Sequence, residues 1–201
     1  EWKWYYDNGN KYSEGKYLQG GRDSIWTYYY PGGQISSTIN YSGDIKHGES
    51  QIIALDGKIV LYKKYHTGDL IAYRLYDKEG KLSDWLPFTG NENLVSYFPN
   101  GKVAVSEYYK NGEYDKERTI YFPSGKIQKQ THYKNGINEG ESIEYYPDGK
   151  LKEKGTFKDD LATGTWEYYD SNGNLSRKEP YLGGELNGKV EYFSNGKNTG
   201  S

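Results

Sequence analysis

The residues able to do acid–base or metal chemistry are scattered along this chain. Three histidines occur, His47, His66 and His132, and no HExxH or comparable metal-ligand spacing connects them. Each reads as an ordinary surface or strand residue. Carboxylates are plentiful, but many fall in turn strings, as do Asp7, Asp56, Asp148, Asp159 and Asp160. General acid–base work needs two carboxylates sheltered in one pocket, and a recurring turn position does not supply that. The string Asp170-Ser171-Asn172-Gly173-Asn174 begins like a calcium loop, but Tyr181 stands where the loop needs its last glutamate. Turn chemistry accounts for it. Asn40-Tyr41-Ser42 and Asn174-Leu175-Ser176 have the form of glycosylation acceptors, a match short enough to arise by chance. No phosphate-cradling glycine loop, GxSxG elbow or dinucleotide fingerprint is present. There is no cysteine, so thiol catalysis, thiolate metal sites and disulfides are excluded. The sequence therefore predicts a protein that is not an enzyme and carries no metal or cofactor.

What does have chemical reach is aromatic. The chain holds 24 Tyr, 5 Trp and 5 Phe in 201 residues. Much of this must hold strands in register. A thin sheet cannot cover both of its faces, so some rings are expected in accessible rows. Such amphipathic rings suit protein interfaces and can also stack on sugars. The candidate binding surface read from sequence comprises Trp2, Trp26, Tyr28, Tyr30, Trp85, Tyr146, Trp166 and Tyr168.

The elements that must position these rings are announced by a recurring glycine. Gly9, Gly33, Gly57, Gly80, Gly101, Gly125, Gly149, Gly173 and Gly196 stand 24, 24, 23, 21, 24, 24, 24 and 23 residues apart. A fixed period across a whole chain marks a repeat array. The cleanest copy of the turn is Tyr145-Tyr146-Pro147-Asp148-Gly149-Lys150, where Pro fixes φ and Gly tolerates positive φ. After it, Leu151, Gly155 and Phe157 share one parity while Lys150, Lys152, Lys154 and Lys158 share the other, the mark of a strand with one charged face. Asp159 to Gly164 is a second turn, and Thr165-Trp166-Glu167-Tyr168-Tyr169 returns as a strand.

The same columns recur in the other units. Two residues after the glycines from Gly33 to Gly173 come Ile35, Ile59, Leu82, Val103, Ile127, Leu151 and Leu175. Eight after come Tyr17, Tyr41, Tyr65, Phe88, Tyr109, Tyr133, Phe157 and Tyr181, on the same face. Seven before come Trp2, Trp26 and Trp166.

The expected fold is all-β: an elongated antiparallel β-meander of about eight to nine tandem ~24-residue β-hairpin repeats, largely one sheet, twisted or curved. Residues 1–201 are read as one repeat array, most regular over 101–196. The unit ending at Gly57 is degenerate, with Ile53-Ala54-Leu55-Asp56 in place of the tyrosine pair, and the unit from Gly80 to Gly101 is short and holds Trp85-Leu86-Pro87-Phe88. A kink is expected at residues 83–95, because Pro interrupts a ladder.

Bulk properties narrow the partners. With 26 basic and 28 acidic residues interspersed, net charge is −2 and no basic stripe exists, which argues against nucleic acid and weakens any membrane-surface role. No run of 18 apolar residues is present to span a membrane. The chain has no Met, even at position 1. It thus reads as a processed export product or a trimmed piece, with an exported or cell-surface location favoured over the cytoplasm. Open sheet ends would allow homo-oligomers by edge pairing.

The pattern Tyr-Tyr-x-x-Gly-Lys-Leu-Lys, followed by Tyr/Phe-Lys-Asn/Asp-Gly and a further Gly four residues on, resembles the bacterial variant of the MORN repeat. Tyr121 to Gly140, Tyr145 to Gly164 and Tyr169 to Gly188 carry it best, and weaker copies extend it over essentially the whole chain. The resemblance implies one hairpin per repeat and a binding role toward proteins or membrane lipids. Members are often described as antitoxin-like, and others are exported proteins. It places no catalytic residue on this chain. The reading is a non-enzymatic scaffold whose aromatic surface binds another protein, with an exported carbohydrate- or cell-surface-binding module as the alternative.

Overall fold

A computed structural model of the chain describes residues 1–6, 8–194 and 197–200, so the turn residue Asp7 and the last anchor, Gly196, lie outside the described residues. Nineteen strands and no helix occur among the described residues. They form two antiparallel sheets of consecutive hairpin strands, neither closed. The tandem meander is thus what the chain builds, distributed over two sheets. Between residues 76 and 92 the only strand is the two-residue Leu86–Pro87, where Pro cannot donate to a ladder.

The chain divides into two compact units, residues 1–105 and 106–201. In the first, β1 (Trp2–Tyr5), β2 (Lys11–Leu18), β3 (Gly21–Tyr29), β4 (Ile35–Ser42), β5 (Ile45–Ile53), β6 (Ile59–His66), β7 (Asp69–Leu75) and β8 (Leu86–Pro87) pair in sequence order. β9 (Asn93–Tyr97) is joined to the end of β7 by Tyr97 N donating to Tyr76 O at 3.1 Å. β10 (Val103–Lys110) leads into the second unit, where β11 (Glu113–Tyr121), β12 (Ile127–Lys134), β13 (Ile137–Tyr145), β14 (Leu151–Lys158), β15 (Leu161–Tyr169) and β16 (Leu175–Leu182) follow in order. β17 (Glu185–Leu186) and β18 (Glu191–Ser194) both pair with β16, and β19 (Lys197–Gly200) closes the series against β18.

Two tight turns alternate. At the anchor turn, Tyr146 N donates to Lys150 O and Gly149 N donates back to Tyr146 O, each at 2.8 Å, and Gly149 sits at φ +93°. The other is the two-residue hairpin. Asn135 and Gly136 have φ of +49° and +80°, the doubly positive pair of a type I′ turn, whose twist matches that of the flanking strands.

The repeats are fastened to each other by tyrosine. Tyr6, Tyr30 and Tyr146, each three residues before an anchor glycine, donate to the carbonyls of Tyr29, Ile53 and Tyr169 in the next unit at 2.7, 2.9 and 2.8 Å. Such a bond is worth about 0.5–1.5 kcal/mol. Ala54 occupies this position in the degenerate unit, and the carbonyl of Tyr76 takes the Tyr97 amide instead.

Along one face a row of directly paired residues runs across the strands. In the first unit Trp26 pairs with Ile39, Ile39 with Ser50 and Ser50 with Lys63. In the second, Arg118 pairs with Thr131, Thr131 with Ser142 and Ser142 with Gly155, while Trp166 pairs with Glu179. Partners along the row compensate one another in size or charge. Trp26 covers Gly15 and Trp166 covers Gly155, where a β-carbon would run into the indole. Glu107, fully buried, meets the Arg118 guanidinium at 2.9 Å.

Candidate binding surface

Strand alternation puts the aromatic row and the charged row on opposite faces. Trp166 and Glu167 are neighbours in β15 and illustrate it. Trp166 is covered, with only 7% of its surface exposed. Glu167 is gripped by Lys154 at 3.0 Å and Lys178 at 3.1 Å from the two adjacent strands, and accepts the Tyr169 hydroxyl at 2.7 Å. That hydroxyl first, and then the two ammonium groups, hold its carboxyl down at about 2. Lys129, Glu144 and Lys152 repeat the ladder one unit earlier. These part-buried pairs give the face an ordered pattern of charge.

The aromatic face differs along the chain. At the start of the first unit, Trp2 and Trp4 on β1 share a face with Tyr17 on β2 and Trp26 on β3. Their rings form a continuous cluster, with centroids 6.2 Å apart for Trp2–Trp4, 5.7 Å for Trp2–Tyr17, 5.4 Å for Trp4–Trp26 and 5.1 Å for Tyr17–Trp26. Trp26 is its floor, 2% exposed, with its indole N–H donating to Lys16 O at 3.1 Å. The rings above it remain open: Trp2 is 58%, Trp4 39% and Tyr17 38% exposed. In the second unit Phe157 and Tyr181 flank Trp166 at 5.0 and 6.5 Å, and both are half-buried.

The eight rings named from sequence therefore separate by role. Trp2 is presented to solvent. Trp26 and Trp166, expected at an accessible surface, are instead buried, because each lies over a glycine that leaves room for its ring. Tyr30 and Tyr146 are half-buried and spend their hydroxyls on the inter-repeat bonds. Tyr28 is half-buried, its hydroxyl 3.4 Å from that of Tyr41. Tyr168 is half-buried beneath the Arg177 guanidinium, 4.3 Å from its ring centre, and burial together with Glu179 pushes its phenol up. Trp85, also half-buried, lies between Lys64 and Arg74, each 5.7 Å from its ring.

Sequence reasoning passed over Trp4 as a surface residue, although its parity with Trp2 was the signal. It also passed over the polar core of the second unit. There Glu107 accepts hydroxyls from Tyr109 at 3.0 Å and Tyr114 at 3.3 Å beside Arg118. Burial and the Glu107 charge push the Tyr114 phenol up.

The candidate metal and acid–base residues are occupied in ordinary ways. The Asp170 carboxylate accepts the backbone N–H groups of Asn172 and Asn174, each at 2.9 Å, as a turn cap. His132 Nδ1 lies 2.8 Å from Glu141 O, and His47 and His66 stand with ring centres 5.6 Å apart on β5 and β6. Among the described residues no group of three His, Cys, Asp or Glu could hold a metal ion, and no helix is long and apolar enough to cross a membrane.

No curated protein is similar enough to the chain to count as a relative. The family model for the MORN repeat variant matches six stretches, residues 1–19, 22–42, 94–111, 114–135, 138–159 and 162–182, and leaves 43–93 unmatched. Those six stretches cover more than half of the chain in the hairpin units described above, and the chain belongs to the MORN repeat variant family.

Proposed function

We propose that this protein is a non-catalytic binding scaffold that docks another protein on the open aromatic cluster of its first hairpins. The observation that carries the reading is Trp2, Trp4 and Tyr17 lying in ring contact with one another over a buried Trp26 floor. A rigid floor holds exposed aromatic rings in place before a partner arrives, which lowers the ordering cost of binding. Aromatic anchors of this kind dominate interface energies. A toxin held by this face is the partner that the antitoxin-like character associated with the family suggests. The test is whether a partner retained by the intact protein is lost on Trp2→Ala with Tyr17→Ala, two changes at exposed positions.

A second reading is carbohydrate binding as an exported or cell-surface module. It is favoured by Trp2 and Trp4, whose indoles are inclined by only 26° and offer flat faces to a sugar ring. A glycan array probed with the full chain separates the two readings. Saturable hits lost on Trp2→Ala support it, and a blank array removes it.

A further inference from the structure

The first unit contains a second feature, unrelated to the open indoles. A hollow of about 280 Å³ is lined by Gly57, Lys58, Ile59, Val60, Tyr62, Tyr76, Tyr97 and Pro99. Gly57 and Lys58 come from the turn between β5 and β6. Ile59, Val60 and Tyr62 come from β6, Tyr76 follows β7, and Tyr97 and Pro99 come from the end of β9 and its turn. Its walls are fixed by Tyr76 N donating to Ser96 Oγ at 2.8 Å and by the amide of Tyr97 on the Tyr76 carbonyl. The hollow begins where the degenerate unit ends, at Gly57, three residues after Ala54 replaces the linking tyrosine, and β9 takes the bond that tyrosine makes elsewhere.

The chemistry of the lining selects an occupant. Three phenol rings, Ile59, Val60 and Pro99 make an apolar, aromatic wall that suits edge-to-face packing of one more ring. The size falls just under the roughly 300–1,000 Å³ typical of small-molecule sites, and matches a single inserted side chain. The charged residues at these walls are cations. Lys58 lines the hollow, Arg74 stands 5.9 Å from the Tyr62 ring centre, and Lys78 stands 5.9 Å from that of Tyr97. Burial, Tyr76 and then Glu49 on β5 push the Tyr62 phenol up, and the aspartates of the two adjoining turns are engaged. Asp56 accepts the Lys58 amide at 3.2 Å and lies 3.3 Å from its ammonium, and Asp77 accepts the amides of Glu79 and Lys81 at 3.0 and 2.8 Å. No carboxylate or side-chain amide lines the hollow to grip paired sugar hydroxyls.

We propose that this hollow receives an aromatic side chain from an acidic, extended segment of a partner protein. The ring enters among Tyr62, Tyr76 and Tyr97 while flanking carboxylates meet Lys58, Arg74 and Lys78. The proposal rests on the binding-scaffold reading and names a second contact for it. Its failure leaves the Trp2 cluster and the capture result untouched.

The test is an NMR titration of the full chain, reading the amides of Gly57 to Tyr62, Tyr76 and Tyr97. The probe is a capped pentapeptide with phenylalanine at its centre, glutamate on both sides and glycine at the ends. Saturable shifts confined to these amides are expected, with a dissociation constant on the order of 1 mM. Replacing phenylalanine by alanine, or both glutamates by lysine, is expected to weaken binding roughly tenfold. Lys58→Glu, at an exposed turn position, is expected to weaken the glutamate peptide about fivefold and to leave the lysine peptide no weaker. The proposal is overturned by an unsaturated titration at about 20 mM, by equal binding of the alanine peptide, by indifference to Lys58→Glu, or by methyl glucoside binding there as well as the peptide.

Discussion

Trp166 lies with its indole across the backbone of Gly155, eleven residues earlier in the same hairpin, and Trp26 lies across Gly15 in the same way at the same separation. Glycine is required at position 155 by this close approach and not by its backbone angle, which is outside the left-handed region. In an exposed strand, Gly→Ala would stabilise by restricting the unfolded chain. Here the methyl must displace a buried ring. Gly155→Ala is expected to destabilise the protein by about 1–3 kcal/mol, the cost of overpacking. Chemical denaturation checks it, and Gly155→Ala combined with Trp166→Leu should cost less than the sum of the two single changes.

Much of the fold was legible in the sequence because turn chemistry is local. Gly149 and Asn135-Gly136 announce their backbone angles in any context, and the period-two charge of Lys150 to Lys158 announces a strand. The site was less legible because exposure is set by partners on other strands. Trp2 and Trp166 occupy the same column, yet one is open and the other covered. The signal available was the residue eleven positions before each covered tryptophan. Gly15 precedes Trp26 and Gly155 precedes Trp166, and Glu107 precedes Arg118 at the same spacing. The hollow beside Tyr62 was not legible at all. It depends on β9 meeting the end of β7, a contact between residues far apart in sequence.

The Glu107–Arg118 pair fills that same column position with charge. Glu107 is fully enclosed and accepts bonds from Arg118, Tyr109 and Tyr114. Removing Arg118 takes an ionic partner from an enclosed carboxylate that keeps only the hydroxyl bonds of Tyr109 and Tyr114 among those named. Arg118→Met alone is expected to cost about 3–5 kcal/mol, whereas Arg118→Met with Glu107→Leu should recover most of the loss. Urea midpoints of the three proteins check this, and a double variant no more stable than the single one would contradict it.

Acid sensitivity should reside partly in Glu167. Its carboxyl is held at about 2, against an ordinary value of 4.5, by the Tyr169 hydroxyl and the ammonium groups of Lys154 and Lys178. A depressed carboxyl stabilises the fold fully above its unfolded value and loses that contribution as pH falls through the folded one. Glu167→Gln is therefore expected to melt below wild type at pH 7. The gap should close as the pH is lowered from about 4.5 to about 2. Melting curves across that window check the sign, and a gap that widens on acidification would oppose it.

The most direct measurement is quantitative affinity capture with three baits: wild type, Trp2→Ala with Tyr17→Ala, and Leu182→Ala. Leu182 is 64% exposed in the second unit and controls for general loss of apolar surface. Loss of two aromatic anchors should weaken binding by at least about 2 kcal/mol. The account predicts a stoichiometric protein partner held by wild type and Leu182→Ala and lost from the double variant. The same partner held equally by all three baits would contradict it.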